Sequence, residues 1–297
     1  MGHCGAKLDW LAQYAAELQA GQLAVRGVHV YSKCGHAVQP NVFALVGALG
    51  IELSNTTLPN VGREGQTFAH HMHSHYERLA DLIVFLKDTT NPTSPQHRMR
   101  DTLTPVTDLL DQGRRAGFGC GSRPNSHARS MWHDRAEHQR FLFKYTKYTY
   151  SWSQKAAAAS PHAGFASPTR GLGEWLAANG VLTGEALTDL QQRSLWPVCY
   201  GGYFAALSQA VHRHPASTWA RLAAILSRGD NIEEGHYNER LWGAYLTPAL
   251  LPQQTLQLRC AAGAVHRSGF PQSGILGPLL NCNCASNGTF LRVSPVR

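Results

Sequence analysis

The chain has 297 residues, 43% hydrophobic and 15% charged, which describes an ordinary globular protein and excludes a disordered or fibrous one. Its net charge of +8 favours an anionic partner (a nucleotide, a phosphorylated substrate, an acidic glycan or nucleic acid) without choosing among them. No apolar run approaches the roughly 20 residues of a membrane-spanning helix, and no signal peptide is visible.

In chain order, KLDWLAQYAAELQAG carries Leu8, Leu11, Ala15 and Leu18 at helical spacing and stops at Gly21, so a helix is predicted there. LAVRGVHVYSK predicts a strand holding Val28 and Val30, with Tyr31, Ser32 and Lys33 at its end. VFALVGALG reads as a short helix and IELS as a second strand. A helix is expected from Glu64 to Leu79, followed by an unbroken apolar run, Leu82 to Leu86, that reads as a buried parallel strand. Strands alternating with helices make this an α/β chain, with a mixed, mostly parallel sheet flanked by helices. In such sheets the ligand crevice lies beyond the carboxyl ends of the strands, which puts Lys87, Asp88, Thr89 and Thr90 at its rim.

The pattern weakens between about 92 and 170. TLTPVTDLLDQGRR reads as a helix, RRAGFGCGSRPNSHAR as a loop rich in Gly and Arg, and KAAAASPHAGFASPTRG as a flexible connection. FLFKYTKYTYSW interleaves aromatics with lysines, which suits either stacking on bases and sugars or a half-buried face. We favour the half-buried face, and nucleic acid is not expected as a partner. Order returns with WPVCYGGYFAALSQAV and the helix STWARLAAILSRGDN, capped by Ser217 and ended by Gly229. NIEEGHYNERLWGAYL follows, with Asn231 and Glu234 at capping-box spacing and Trp242 expected in the core. The last 35 residues are rich in Gly, Pro and Cys and read as an irregular tail. The whole reads as a single domain, with a nucleotide-binding-like half over 1–95, a variable insert over 96–195 and an acceptor-side half with the tail over 196–297.

Seven cysteines, an odd number, argue against a complete disulfide framework, so reduced structural cysteines are expected. Two sequons, Asn55-Thr56-Thr57 and Asn287-Gly288-Thr289, matter only in a secretory compartment. The compartment stays open between the cytoplasm and the secretory lumen.

NVGREGQTFAHHMHSHY, residues 60 to 76, holds four histidines in seven positions. At about 100° per residue, Phe68, Met72, Tyr76 and Leu79 share the core-facing stripe. Glu64, His71 and His75 then share one edge, while His70 and His73 point elsewhere, so at most His71 and His75 could share a metal, with Glu64 nearby. The turn ahead of the helix is more informative. Gly62 permits a backbone shape other residues resist, the new helix offers unpaired N–H groups, and Arg63 adds a forked donor. Together they suit an anion such as a diphosphate; the alternative is a structural turn with Arg63 paired to a carboxylate.

PNVGREGQTFAHHMHSHYERLADLIVFLKD resembles the central signature of the domain of unknown function family 3431. WPVCYGGYFAALSQAVHRHP and EEGHYNERLW are similar to that family's second block, and KLDWL to its first, so the resemblance covers most of residues 1 to 90 and 196 to 246. More distantly, the order of parts resembles the GT-A glycosyltransferases, whose fold is Rossmann-related. That resemblance implies transfer of a sugar from a nucleotide-sugar donor to an unknown acceptor. It sets Asn60, Gly62, Arg63, Glu64 and Thr67 beside the donor, with Lys87 at the strand end. Tyr200, Gly201, Gly202 and Arg240 fall on the substrate side, and Glu234 or Glu239 is the expected base. Asp88 stands where the Asp-x-Asp metal ligand usually stands, with His236 a further ligand.

The chain has no Asp-x-Asp, however, and Lys87-Asp88-Thr89 replaces it. Either one weakly held Mg²⁺ or Mn²⁺ assists, or Lys87, Arg63 and the helix terminus neutralise the leaving group. The family usually has a strand just before HCGAKLDWL, so an upstream signal or anchor is expected ahead of Met1. Two alternatives stand beside the enzyme: a GT-A-like binding protein without catalysis, and a His-dependent metalloenzyme built on His71, His75, Glu64 and His236. For Glu234 and Glu239 the bland alternative is a helix cap and a salt-bridge network.

Overall fold

The computed structural model describes residues 1–21, 23–88, 106–120, 164–193, 196, 199, 202–249 and 251. Six strands and nine α-helices are found among them: β1 (Gly2–His3), α1 (Trp10–Ala20), β2 (Gly27–Ser32), α2 (Pro40–Gly47), β3 (Glu52–Thr57), α3 (Arg63–Ser74), β4 (Leu82–Phe85), α4 (Val106–Ala116), β5 (Phe118–Cys120), α5 (Leu172–Asn179), α6 (Gly184–Gln192), β6 (Phe204–Leu207), α7 (Ser208–Val211), α8 (Ala216–Ile225) and α9 (Glu233–Leu246). The class is α/β.

β1, β2 and β3 form a parallel sheet in that order. β4 pairs antiparallel with β6, which pairs antiparallel with β5. A parallel bridge from Gly2 to Lys87 ties β1 to the end of β4, so the strands follow the spatial order 3-2-1-4-6-5. This corrects the expectation that Leu82 to Leu86 joins a mostly parallel sheet. An apolar run reports burial on both faces, but nothing in it reports the direction of a partner 120 residues away.

The winding of the chain explains where the helices lie. The chain steps from β1 out to β3 and then returns past β1 to β4, and right-handed crossovers put α1 and α2 on one face and α3 on the other. On the first face Val30 packs with Leu8, Leu11, Tyr14, Val42 and Val46. On the second, Phe68 and Met72 of α3 sit in a larger core with Phe85, Phe204, Trp175, Trp219 and Trp242. Phe68 lies 5.0 Å from Phe85 and 6.1 Å from Trp242, ring centre to ring centre. The predicted Phe68/Met72 stripe and the core position of Trp242 are as expected. α3 ends at Ser74, however, and Tyr76–Arg78 form a 3₁₀ turn that hands the chain to β4.

Two disulfides replace the expected reduced cysteines. Cys4 bonds Cys34 and Cys120 bonds Cys199, with Cα atoms 4.9 and 5.2 Å apart. The first links the ends of β1 and β2, neighbours in space but 30 residues apart in sequence, and the second links β5 to the approach to β6. Cys260, Cys282 and Cys284, the aromatic–lysine stretch and the irregular tail lie outside the described residues.

The segment read as a loop at RRAGFGCGSR contains β5, and the variable insert over 96–195 contains α5 and α6. Residues 164–171 are the described part of the expected flexible connection, and they are held under the start of α9 by the buried Glu233 carboxylate and by Arg228, which is paired with Glu234. No helix of the described residues is long and apolar enough to cross a membrane.

Candidate functional site

The strand order reverses between β1 and β4, and in open α/β sheets ligands bind outside the carboxyl ends of the strands at such a point. Four segments meet there: the residues after β1, Lys87–Asp88 after β4, the Gly62 turn opening α3, and Gly202 before β6.

Gly62 has φ 58° and ψ 19°, the left-handed conformation that glycine adopts without cost. Its N–H donates to the Gly229 carbonyl at 2.6 Å, and a Cβ there would sit 2.3 Å from the Leu226 carbonyl oxygen. Arg63 follows with φ 48°, the one non-glycine residue with positive φ among the described residues. That conformation costs on the order of 1–2 kcal/mol for an L-residue, so the surrounding contacts must hold it. One of them is Lys33, whose buried ammonium donates to the carbonyls of Val61 and Arg63. Burial pushes the Lys33 pKa down to about 8, with Glu64 and Asp230 acting against it. Sequence reading left Lys33 out of the site although it closes a strand at its carboxyl end, which was the available signal.

With its carbonyls occupied, the turn leaves the N–H groups of Arg63, Glu64 and Gly65 without acceptors among the described residues. The Arg63 and Asn60 side chains are exposed. Glu64 reaches Lys87, Oε1 to Nζ 3.3 Å, and lies against Gly202, where a Cβ would come within 2.7 Å of Oε1. Glu64, Lys87 and Gly202 therefore come together, whereas Tyr200 and Gly201 lie outside the described residues. Thr67 is buried against Gly2, where it packs β1 on α3 and faces no solvent. Beneath the first turn of α3 lies Asn238, fully buried, with neither amide atom hydrogen-bonded among the described residues. A Cβ on Gly65 would meet its Nδ2 at 2.9 Å.

Asp88 is committed to the chain itself. Its Oδ2 accepts the Cys4 N–H at 2.6 Å and the Ala6 N–H at 3.4 Å, and lies 3.4 Å from His3 Nδ1. Among the described residues no three His, Cys, Asp or Glu side chains are set to hold a metal ion; the expectations were Asp88 with His236 at the donor site and His71 with His75 as a separate pair. His236 lies on α9, its Nε2 3.3 Å from Asn231 Oδ1. Burial lowers its pKa to about 4, with smaller contributions from Glu239, Arg240, Arg63 and Glu64, which puts it on the α3 side of α9.

Glu234 does not face the crevice. It is 3% exposed, and both its oxygens take bonds from Arg228, at 2.9 and 2.7 Å. Arg228 also donates to the carbonyls of Gly164, Phe165 and Ala166. Glu233 accepts the Ser167 N–H at 2.9 Å and Arg170 at 3.2 Å. The pair anchors residues 164–170, which overturns the expectation of a base at Glu234. The capping box is not formed either; Ile232 stands at the cap. Glu239 remains accessible in part and pairs with Arg240 at 3.0 Å, while Arg240 also donates to the His236 carbonyl at 2.7 Å.

His70 packs against Tyr31, ring centres 5.6 Å apart, instead of pointing away from the core. His71 and His75 share an edge as the helical wheel predicts, but they meet His29 of β2, not Glu64. The three rings lie 4.7 to 5.1 Å apart, and His71 Nδ1 is 2.8 Å from the Tyr31 hydroxyl. Burial, reinforced by the Met1 amino group, His75, His29 and His70, lowers the His71 pKa from 6.5 to about 2. Protonation is therefore easier in the unfolded chain, so this contribution is complete above pH 6.5 and declines as the pH falls toward 2. We expect the urea midpoint to drop steadily from pH 6.5 to pH 4, and His71→Gln to flatten the decline. An equal slope in both proteins would assign the acid sensitivity elsewhere.

Comparison with protein families, with curated proteins and with solved structures finds no match to this chain.

Proposed function

We propose that the protein is a GT-A-like glycosyltransferase that takes a nucleotide-sugar donor in the crevice between β1 and β4. The observation that carries this reading is the left-handed Gly62–Arg63 turn, held by Lys33, which leaves three N–H groups without acceptors among the described residues, with Lys87 reaching Glu64 beside them. N–H groups at a helix start, an exposed arginine and a lysine suit the two phosphates of a departing nucleoside diphosphate. The unpartnered amide of Asn238 behind the same turn favours a polar ligand there as well. Transfer breaks the bond from the anomeric carbon to the diphosphate oxygen and forms one to the acceptor oxygen. The acceptor proton passes to a carboxylate, and Glu239 is the remaining candidate on α9.

Asp88 holds two backbone N–H groups, so charge neutralisation by Arg63, Lys87 and the helix terminus is favoured over a tightly bound Mg²⁺ or Mn²⁺. The seclusion of Glu234 favours a second reading, a binding protein that keeps the donor site without turnover. Thermal unfolding with a panel of nucleotide sugars, with and without Mn²⁺, tests both. A donor raises the midpoint with little dependence on the metal, and Arg63→Ala removes the shift while leaving the unliganded midpoint in place. Donor binding without hydrolysis or transfer selects the second reading. No shift with any nucleotide sugar, together with stoichiometric zinc, removes both in favour of a His-dependent metalloenzyme.

A further inference from the structure

We propose that Asn55 is an N-glycosylation site on the open edge of the sheet. Asn55-Thr56-Thr57 satisfies the acceptor pattern, with no proline at its centre, and all three residues are exposed at the end of β3. Many such triplets are buried or unused, but three further observations single this one out. First, the Cys4–Cys34 and Cys120–Cys199 disulfides belong to an oxidising compartment, where this modification is made. Second, Asn55 Oδ1 accepts a bond from Ser32 Oγ at 2.9 Å, while Nδ2 has no acceptor among the described residues. The side chain is thus held with its nucleophilic atom directed away from its one partner. Third, β3 pairs only with β2 among the described residues and leaves an open edge of the kind that proteins usually cover or charge.

The chemistry leaves the fold intact. A bond forms between Asn55 Nδ2 and the anomeric carbon of a polyprenyl-diphosphate oligosaccharide, as the bond from that carbon to the diphosphate breaks. The diphosphate leaves with the bonding electrons, the nitrogen gives up one proton, and nothing is oxidised or reduced. The product amide keeps Oδ1, so the bond from Ser32 survives. Alternation along β3 sets Asn55 on the face of Leu53, which packs with the α1–α2 side, opposite Ser54, which meets His29 on the α3 side. The modification uses none of Gly62, Arg63 or Lys87, so it stands or falls separately from the proposed sugar transfer.

The test is a peptide map of the full chain isolated from its own cells without reductant, before and after peptide-N-glycosidase in heavy-oxygen water. The expected result is an Asn55 peptide that appears only after the enzyme and carries heavy-oxygen aspartate. Thr57→Ala, made in the same cells, loses this glycan, whereas Thr57→Ser keeps it; Thr57 is exposed, so both variants fold. An unmodified Asn55 peptide in the native protein overturns the assignment, and so does a glycan confined to Asn287.

Discussion

Gly62→Ala is expected to lower the stability of the fold by about 3 kcal/mol or more, from a left-handed penalty of about 1–2 kcal/mol and a steric term of about 1–3. The new methyl group meets the Leu226 carbonyl oxygen at 2.3 Å and Gln66 Cβ at 2.7 Å. The oxygen belongs to the backbone leaving α8, which cannot swing aside as a side chain would. Relief would pull the turn off α8 and break the 2.6 Å bond from Gly62 to Gly229, so any donor-induced shift in unfolding temperature should vanish too. Gly65→Ala is the contrast. Its contacts are the Asn238 amide at 2.9 Å and Leu226 Cδ1 at 3.5 Å, both on side chains, and its backbone is ordinary helix. It should cost clearly less in urea unfolding while still disturbing the donor site. Equal stabilities for wild type and Gly62→Ala would remove the rigid turn from the account.

Arg228→Ala should cost about 3 kcal/mol, the lower end for stripping one partner from a buried ion pair, because the guanidinium is itself partly exposed. Glu234 would be left charged, 3% exposed and unpaired by its guanidinium, and three carbonyls at residues 164–166 would lose their donor. Arg228→Lys should rescue little, since an ammonium cannot bond both carboxylate oxygens in the same fork. Adding Glu234→Gln to Arg228→Ala should recover part of the loss by removing the orphaned charge, and that non-additivity separates an ion pair from simple packing. Limited proteolysis offers an independent readout: cleavage near Gly164–Arg170 should appear in Arg228→Ala at protease levels that spare the parent. Full stability in the single variant would show that Glu233, with Ser167 and Arg170, suffices to hold the segment.

How much was legible in advance follows the reach of each signal. α1, α2 and the buried face of α3 were readable because Leu11, Val42, Val46, Phe68 and Met72 repeat at a period visible inside one segment. The special backbone at Gly62 was readable because glycine before a helix has few other uses. Pairings between distant segments were not. Nothing near Cys4 announces Cys34 until β1 and β2 lie side by side, and the odd cysteine count pointed the wrong way. Glu234 carried a local capping signal together with an unannounced partner, Arg228, six residues back across a turn, and the ion pair won over the cap. The resemblance implies a metal ligand at Asp88, yet the donors its carboxylate meets, the Cys4 and Ala6 N–H groups, lie just after β1 and more than 80 residues earlier in the chain. Lys33 was seen at its strand end but not beneath the turn, which only the closure of α3 onto β1 reveals.

The two-residue strand β1 has a consequence for the order in which the molecule is assembled. It precedes the other described strands in the chain, yet it ends in the middle of the row, with β2 and β3 on one side and the end of β4 on the other. Its first partner is about 30 residues away and its second more than 80, so the parallel half can associate and close Cys4–Cys34 long before Lys87 leaves the ribosome. His3 then waits as a docking seam for Asp88. The crevice thus cannot exist when the parallel half first forms; it is completed only after Lys87 and then Gly202 arrive to close it.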